Sequence, residues 1–433
     1  MASSYKLSLV STIILNINIM TGAGLFLNSV PFAKLGILSP MPYLTVALLM
    51  VPLIIAIAAL LNYVQGGNFY TIGATLLSPF SGFLSTWSYF VAKLASASLM
   101  IHFFVTAMQQ VFPYLNAINP FIIDIGIIAL FVLGNCLDMR IGSNILLTFV
   151  GIKSSAILSI ILIGIWYFRP NNFALPHLDW TGLATSLPLA IYAFAGFEAT
   201  LSMIQHIQDP QRNGPRAILY SYAIVVAAYC AFQLCYYAAI NPALLDSVPP
   251  FQEIAFFIQS TVTHYAGLLM ALLYIGIGSA ALGGAYGIFF SNQWNLYALA
   301  ERGHVAISKQ LMVKNSAGIA YWCLIVEALA CVTYLLSTHA NKFLLQDISA
   351  LGGMIAYSIT IVAFVQLTRT KLKKRWAYLI APLALVSCLL MLLACIRGLH
   401  HHGPIAFFVF LGLLIMGIGM YTAKKRRPAL YIS

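Results

Sequence analysis

The sequence predicts an all-α polytopic membrane protein. Of its 433 residues, 61% are hydrophobic and only 7% are charged. A water-soluble domain of this length needs far more charge to cover its surface. Lipid permits such a composition, because the outward face of a spanning helix can be as apolar as the core. Apolar runs also repeat along almost the whole chain, so the protein is embedded in the membrane and not attached by one anchor.

About twelve runs are long and apolar enough to cross a bilayer, which requires roughly 20 mostly apolar residues per helix. Segment 63–82 has no charge but is too polar and too broken to span. We expect a short helix there, lying at the inner membrane interface. The predicted spans are 7–35, 41–62, 83–110, 121–136, 145–168, 184–207, 217–240, 265–298, 318–337, 346–368, 375–396 and 404–422.

The placement of the basic residues supports this count, because cytoplasmic loops carry the excess of Lys and Arg. Two of the 22 Lys and Arg residues lie within spans, and 16 of the other 20 fall in inner segments if the N-terminus is inside. One span more or fewer would scramble this division. We therefore predict an even number of spans, both termini in the cytoplasm, and a bacterial inner (plasma) membrane. The exceptions in outer segments are Lys34, Arg169, Lys342 and Arg397.

The net charge of +12 does not indicate a nucleic acid partner, since basic clusters at 369–375 and 424–427 serve as orientation signals that also lie near anionic lipid. The seven cysteines lie in or beside apolar segments without a CxxC pair, which predicts reduced thiols. His400-His401-His402 has no acids or cysteines nearby in sequence. We predict no metal site and no cofactor.

Two spans are interrupted by glycine at corresponding places. Span 1 carries Thr21-Gly22-Ala23-Gly24 near its middle, and span 6 carries the segment from Tyr192 to Glu198, which includes Gly196. Interrupted segments at matching positions of two halves indicate a transporter binding site. The alternative is that glycines merely allow helices to approach each other. That alternative is our interpretation of the glycines at 283–287 in span 8.

Five short motifs lie in order on these elements. They are Ile19–Phe26 in span 1, Gly66–Tyr70 with Pro79–Phe83 before span 3, Asn135-Cys136 followed by Lys153 in span 5, Phe194–Glu198 in span 6, and Asp209–Ile218 before span 7. Together they resemble the amino acid–polyamine–organocation (APC) transporters over nearly the whole chain. The resemblance implies a LeuT-like fold in one membrane domain, with inverted five-helix repeats at 7–168 and 184–368 and two trailing helices at 375–422.

The chemistry of a broken helix suggests what binds there. An interruption in mid-membrane exposes N–H groups at one stump and C=O groups at the other. The carboxylate of an amino acid can accept from the amides of residues 22–24, and its ammonium can donate to the carbonyls of residues 192–194. The resemblance implies the same assignments. The predicted substrate-binding residues are Thr21, Gly22, Ala23, Gly24, Tyr192, Ala193, Phe194 and Gly196.

The resemblance also implies roles for three side chains. Tyr192 stands where relatives place an aromatic gate, with simple helix packing as the alternative. Lys153 stands where a lysine replaces the cation that bridges helices 1, 5 and 8 in sodium-using relatives, donating to first-helix carbonyls. It is predicted to couple transport to protons, with a fixed structural ammonium as the alternative. Glu198, where an acid is linked to pH sensing in some members, is a second coupling candidate.

Lys93 lies near the middle of span 3 and is predicted to face the same cavity. An ammonium there would repel a cationic substrate and favour an anionic or neutral side chain. The alternative is that Lys93 pairs with a buried acid such as Glu198 or Glu327.

These features predict a sodium-independent secondary active transporter of amino acids, with exchange and proton-coupled symport both open. Alternatives are a polyamine or organic cation carrier and a non-transporting amino acid sensor. A membrane enzyme is disfavoured, because the chain lacks HExxH and paired catalytic carboxylates. The sequence departs from the family at the inner ends of spans 6 and 8. There Gln205–Gln208 and Gln293–Asn295 replace charged residues, so no inner salt bridge is carried over.

Overall fold

The computed structural model describes residues 5–173, 180–248, 253–262, 266–402 and 405–425. Within these ranges the chain is helical apart from connections and one isolated bridge between Leu7 and Ile207. The helices are α1 (Leu9–Met20), α2 (Gly24–Leu27), α3 (Ser29–Ala33), α4 (Met41–Tyr63), α5 (Phe69–Leu76), α6 (Pro79–Val111), α7 (Pro120–Asn135), α8 (Met139–Trp166), α9 (Trp180–Phe194), α10 (Ala199–Ser202), α11 (Pro210–Ala239), α12 (Glu253–Thr261), α13 (Ala266–Glu301), α14 (Ser308–Leu311), α15 (Tyr321–Ser337), α16 (Lys342–Leu367), α17 (Arg375–His402) and α18 (Ile405–Lys425).

In these ranges nine helical segments are long and apolar enough to cross a membrane, and three shorter apolar helices accompany them. Each of them coincides with one predicted run, which confirms the all-α polytopic membrane fold. The three shorter helices are Pro120–Asn135, Tyr321–Ser337 and Phe407–Ala423.

The interrupted spans lie inside the molecule. Helix α1 packs against α8, α11 and α13, while α9 packs against α4, α16 and α17. Helices α6 and α13 pack against each other, and their spanning segments are among the most buried in the described chain. Helix α18 packs against α6 and α16. Both interruptions are therefore enclosed by protein, as the unpaired backbone of a broken helix requires in a membrane.

Span 1 is broken twice, not once as the sequence predicted. The first break separates α1 from α2, and the second, at Asn28, separates α2 from α3. Pro31 explains the second break, because it has no N–H to donate to the carbonyl of Leu27 one turn earlier. Asn28 uses its side chain to tie this point to its neighbours: its amide donates to the Leu189 carbonyl at 2.9 Å and accepts from Gln346 at 3.2 Å.

Several boundaries differ from the predicted ones. Span 3 begins earlier, because Pro79 starts the helix and the Ser78 hydroxyl caps it by accepting from the amide of Ser81 at 3.1 Å. Helix α17 continues through His402, so the histidine tract belongs to a helix and not to a loop. Helix α12 was not predicted. The short helix expected in segment 63–82 is α5, which packs against α6.

Candidate functional site

The first break leaves backbone amides open at the centre of the protein. Helix α1 ends at Met20 and α2 begins at Gly24. Among the described residues, no acceptor is hydrogen-bonded to the amides of Gly22, Ala23 or Gly24. Thr21 is anchored differently, since its amide and its hydroxyl both donate to the carbonyl of Ile17. The open amides lie at the N-terminal, positive end of α2, which suits an anionic group.

Lys153 of α8 contacts the other side of the first break, at the C-terminal end of α1. Its side chain is fully buried, and its Nζ donates to the carbonyls of Asn18 at 2.9 Å and Thr21 at 3.2 Å. A third carbonyl, that of Ala280 in α13, lies 3.5 Å from Nζ. The lysine Nζ thus joins α1, α8 and α13 and donates to carbonyls at the C-terminal end of α1. Its role in coupling stays a prediction.

The second break touches the first. Helix α9 ends at Phe194, and Gly196 adopts a φ of 150°, a conformation that favours glycine. A Cβ added to Gly196 would lie 2.7 Å from the backbone nitrogen of Met20, so a larger residue would separate the two breaks. The Phe194 carbonyl accepts no hydrogen bond from the described residues, whereas the Tyr192 carbonyl accepts from the amide of Ala195 at 3.2 Å.

Tyr192 lies across the two breaks. A Cβ added to Gly24 would lie 3.0 Å from a ring carbon of Tyr192, so the ring is in close contact with the open amides. The Ser96 hydroxyl on α6 donates to the Tyr192 hydroxyl at 3.4 Å. The ring is buried and reaches from α9 to α6, the arrangement expected of a closed lid. Its function as a gate stays a prediction.

Lys93 and Glu198 form an ion pair, which is the alternative that the sequence left open for Lys93. Nζ lies 2.8 Å from Oε1 of Glu198, and the two side chains are 5% and 0% exposed. The other carboxylate oxygen of Glu198 accepts from the amide of Gly196 at 2.8 Å. A neutral pair does not repel a cationic substrate as an isolated ammonium would. The selectivity role of Lys93 therefore lacks its physical basis in this conformation.

Tyr229 of α11 contacts both breaks and was missed by sequence reasoning. Its hydroxyl donates to the Met20 carbonyl at 2.5 Å and lies 3.3 Å from the Ala193 carbonyl. Of the predicted acceptors for a substrate ammonium, Ala193 is thus already in contact with a protein hydroxyl. The sequence contains 23 tyrosines, and no local signal distinguishes this one.

A second group that sequence reasoning missed is a cluster of polar side chains that joins the two broken spans. Asn16 of α1 donates to the hydroxyls of Thr200 at 2.9 Å and Ser221 at 3.1 Å, and it accepts from Thr200 at 3.1 Å. All three side chains are buried. This cluster joins α1, the half of span 1 that precedes its first break, to α10, the half of span 6 that follows its break. It also ties both half-helices to α11.

The C-terminal ends of spans 6 and 8 meet through aromatic contacts. The rings of His206 and Trp294 lie 4.1 Å apart, and Nζ of Lys314 lies 4.5 Å from the centre of the Tyr297 ring. Burial lowers the pKa of His206 to about 4, with smaller contributions from the positive charges of Lys314 and Lys6. His206 is therefore neutral near pH 7.

The family model described as "Amino acid permease" matches residues 7–423. A D-serine/D-alanine/glycine transporter of Escherichia coli K12 is 21% identical over 380 residues, which cover 82% of this chain and 76% of that protein. The Asc-type amino acid transporter 1 of Mus musculus is 25% identical over 259 residues, 56% of this chain and 47% of that protein. The b(0,+)-type amino acid transporter 1 of the same species is 23% identical over 246 residues, 55% of this chain and 48% of that protein.

Proposed function

We propose that this chain, which belongs to the amino acid permease family, is a secondary active transporter that moves amino acids across a membrane by alternating access. One observation carries the proposal. Open amides at Gly22, Ala23 and Gly24 lie at the first break, and an open carbonyl at Phe194 lies at the second break, which contacts the first through Tyr192 and Gly196. Opposite polarities at two buried breaks in contact match the two charges of an amino acid.

The charged head group of an amino acid would satisfy the open backbone groups at both breaks. Unpaired backbone groups cost several kcal/mol each in hydrocarbon. A substrate carboxylate accepting from the amides of residues 22–24 and an ammonium donating to Phe194 would satisfy both stumps. The carbonyls of Tyr192 and Ala193 already contact an amide and a hydroxyl. We therefore assign Phe194 as the first acceptor, which narrows the original set of three carbonyls.

Matching helix contacts support the two inverted repeats, 7–168 and 184–368. Helix α1 packs against α8 as α9 packs against α16, and α6 packs against α7 as α13 packs against α15. Both of these contacts in the first half thus have a counterpart in the second. In this scheme the helices at 375–422 lie outside the repeats, and rocking of one repeat-derived bundle exposes the site to each side in turn. Both termini are assigned to the cytoplasm of a bacterial cell, in agreement with the basic inner loops.

Lys153 supports independence from sodium. A cation bound between the first-helix carbonyls and α13 would need the oxygens of Asn18, Thr21 and Ala280, which lie around the lysine Nζ. The lysine side chain at that point occupies the ligands that a bound cation would need and, when protonated, also repels it. Proton coupling and exchange both remain compatible with this arrangement.

The alternative functions differ in the kind of molecule that the breaks would have to bind. A polyamine or organic cation would need a free buried acid at the breaks, and Glu198 is already paired with Lys93. A zwitterion needs none. The names of the relatives point to amino acids, among them D-serine, D-alanine and glycine. A non-transporting sensor would bind an amino acid without moving it, so only a measurement of flux separates the two.

Counterflow in proteoliposomes tests the proposal. Labelled acidic, neutral and basic amino acids, with spermidine as the polyamine, are offered at two pH values in sodium and in potassium buffers. We expect amino acid counterflow that is unchanged when potassium replaces sodium. Binding without counterflow would identify a sensor, and a strict requirement for sodium would refute the role of Lys153.

Gly24→Ala provides the matched test of the site. The added methyl would meet the Tyr192 ring and the backbone of Ala193 at 3.0 and 3.2 Å. We expect at least about a tenfold loss of counterflow, which corresponds to roughly 1.4 kcal/mol of lost binding. Gly412→Ala in α18 is the control, because nothing lies within 4 Å of the added carbon. Equal activity of both variants would argue against a site at the breaks.

A further inference from the structure

Glu327 is a buried acid that the proposed mechanism does not use. It lies in α15, is 0% exposed, and neither of its carboxylate oxygens has a hydrogen-bond partner among the described residues. The side chain of Asn292 on α13 lies beside the carboxyl group, close enough to affect it but outside hydrogen-bond geometry. Cys323 and Cys331 flank it one turn away on the same helix, and their thiols donate instead to backbone carbonyls.

No cation compensates Glu327 in the part of the chain that the structure describes. Of the helices packed against α15, α6 carries Lys93, which pairs with Glu198. Helix α7 carries Asp124, which pairs with His102 on α6 at 2.8 Å. The other charged groups on these helices, Lys309 and Glu301, are exposed. Among the tyrosines, Tyr334 donates to the Val91 carbonyl at 2.9 Å and Tyr286 donates to the Gly134 carbonyl at 3.3 Å.

An isolated carboxylate cannot persist in such a place. Burying an ionised carboxylate without a partner costs several kcal/mol or more, and the group takes up a proton instead. The sequence left Glu198 and Glu327 as candidate partners for Lys93. Because Lys93 is paired with Glu198, the carboxylate of Glu327 can be neutralised only by a proton.

A chain of polar side chains leads from Glu327 to the broken span. Asn292, which lies beside Glu327, accepts from the amide of Asn295 at 2.9 Å, and that amide also donates to the Ser202 hydroxyl at 2.9 Å. Ser202 is the last residue of α10, the short helix that follows the second break. The state of Glu327 is thus linked, through three side chains, to an element that must move when the site opens.

We propose that Glu327 is a proton-binding site of this protein, protonated in the conformation described and linked through Asn292 and Asn295 to α10. One proton from water adds to the carboxylate to give a neutral carboxylic acid, and the same proton returns to water when a conformational change admits water to the group. Its part in transport rests on the proposed function; its protonation does not.

Protonation is measured directly on the purified full-length protein. Infrared spectra recorded across a pH series should contain the carbonyl stretch of a buried carboxylic acid, and Glu327→Gln should remove that band. Dicyclohexylcarbodiimide, an apolar reagent for protonated carboxyls, should label Glu327, and labelling should fall about tenfold per pH unit once the group ionises. Glu301→Gln, which changes an exposed glutamate, should leave both signals intact.

The wild-type spectrum and the labelled position decide the question even if Glu327→Gln does not fold. In that event Glu327→Asp, which keeps a titratable group, replaces it. An absent band together with an unlabelled Glu327 at every pH would overturn the proposal.

Transport then tests the link to α10. Glu327→Gln should bind amino acid within about twofold of wild type, a difference of roughly 0.4 kcal/mol, yet lose the pH dependence of counterflow. An unchanged pH profile in Glu327→Gln would overturn the link. Wild-type protein that shows the infrared band but no counterflow would refute the proposed function and leave the proton site standing.

Discussion

Lys93 and Glu198 neutralise each other at the point where span 6 is interrupted. Neither residue can be interpreted alone. The lysine is paired with the acid here, so the roles predicted for Lys93 in selectivity and for Glu198 in coupling stay predictions about the pair. As a pair they join α6 to the second break, so a change in the charge of either one would be transmitted directly to the backbone of Gly196.

We predict that the pair shows strong coupling in a double-mutant cycle. Lys93→Met and Glu198→Gln each leave one partner buried without compensation, at a cost of about 3–5 kcal/mol. The double variant removes both groups and should be destabilised by much less than the sum. Thermal unfolding in detergent measures this. Strictly additive losses would show that the two side chains do not interact in the membrane protein.

The partner of Lys93 also marks a limit of sequence reasoning. The sequence identified the lysine, both candidate acids and the two glycine breaks, because each is a local departure from an apolar run. It could not choose between Glu198 and Glu327, since that choice depends on how α6, α10 and α15 face one another. Tyr229 was missed for the same reason: its contacts come from two other spans.

At the scale of elements, the spans were predictable because each is a local run of apolar residues. The additional break at Asn28 was not predicted, although Pro31 carried the signal in the missing amide hydrogen. Helix α12 was missed because it has only 9 residues, too few to give a spanning pattern. Local rules therefore found the helices, while the contacts that join broken helices required the packed structure.

Tyr229 provides a prediction about these broken elements. Tyr229→Phe keeps the ring but removes the hydroxyl that contacts the carbonyls of Met20 and Ala193. The lost hydrogen bond is worth about 1 kcal/mol, so we expect about a fivefold weaker amino acid affinity in equilibrium binding. Tyr222→Phe is the matched control on the same helix, since its hydroxyl donates to Ala47 in α4. Equal affinities in the two variants would contradict a role for Tyr229 at the breaks.

At the scale of the whole molecule, the C-terminal ends of spans 6 and 8 pack together around a neutral histidine. The His206 ring packs against Trp294, and burial, with smaller contributions from the charges of Lys314 and Lys6, lowers its pKa from the usual value near 6.5 to about 4. A lowered histidine pKa stabilises the folded arrangement above the ordinary value, and this contribution is lost as pH falls through the interval down to about 4.

We therefore expect the melting temperature of the wild type to fall between about pH 6.5 and pH 4 more steeply than that of His206→Phe, which keeps the ring contact without a charge. In terms of the free energy of unfolding, the extra loss in the wild type should reach up to about 3 kcal/mol. His400→Gln, at an exposed position, serves as the control and should follow the wild type. Parallel melting curves for wild type and His206→Phe would contradict the prediction.

The bridge between Leu7 and Ile207 has a mechanical consequence. The amide of Leu7 donates to the His206 carbonyl at 2.8 Å, and the amide of Gln208 donates to the Leu7 carbonyl at 2.9 Å. These two hydrogen bonds connect the beginning of span 1 to the end of span 6. We therefore expect the half-helices on that side to tilt together as one rigid body about the contact between Met20 and Gly196.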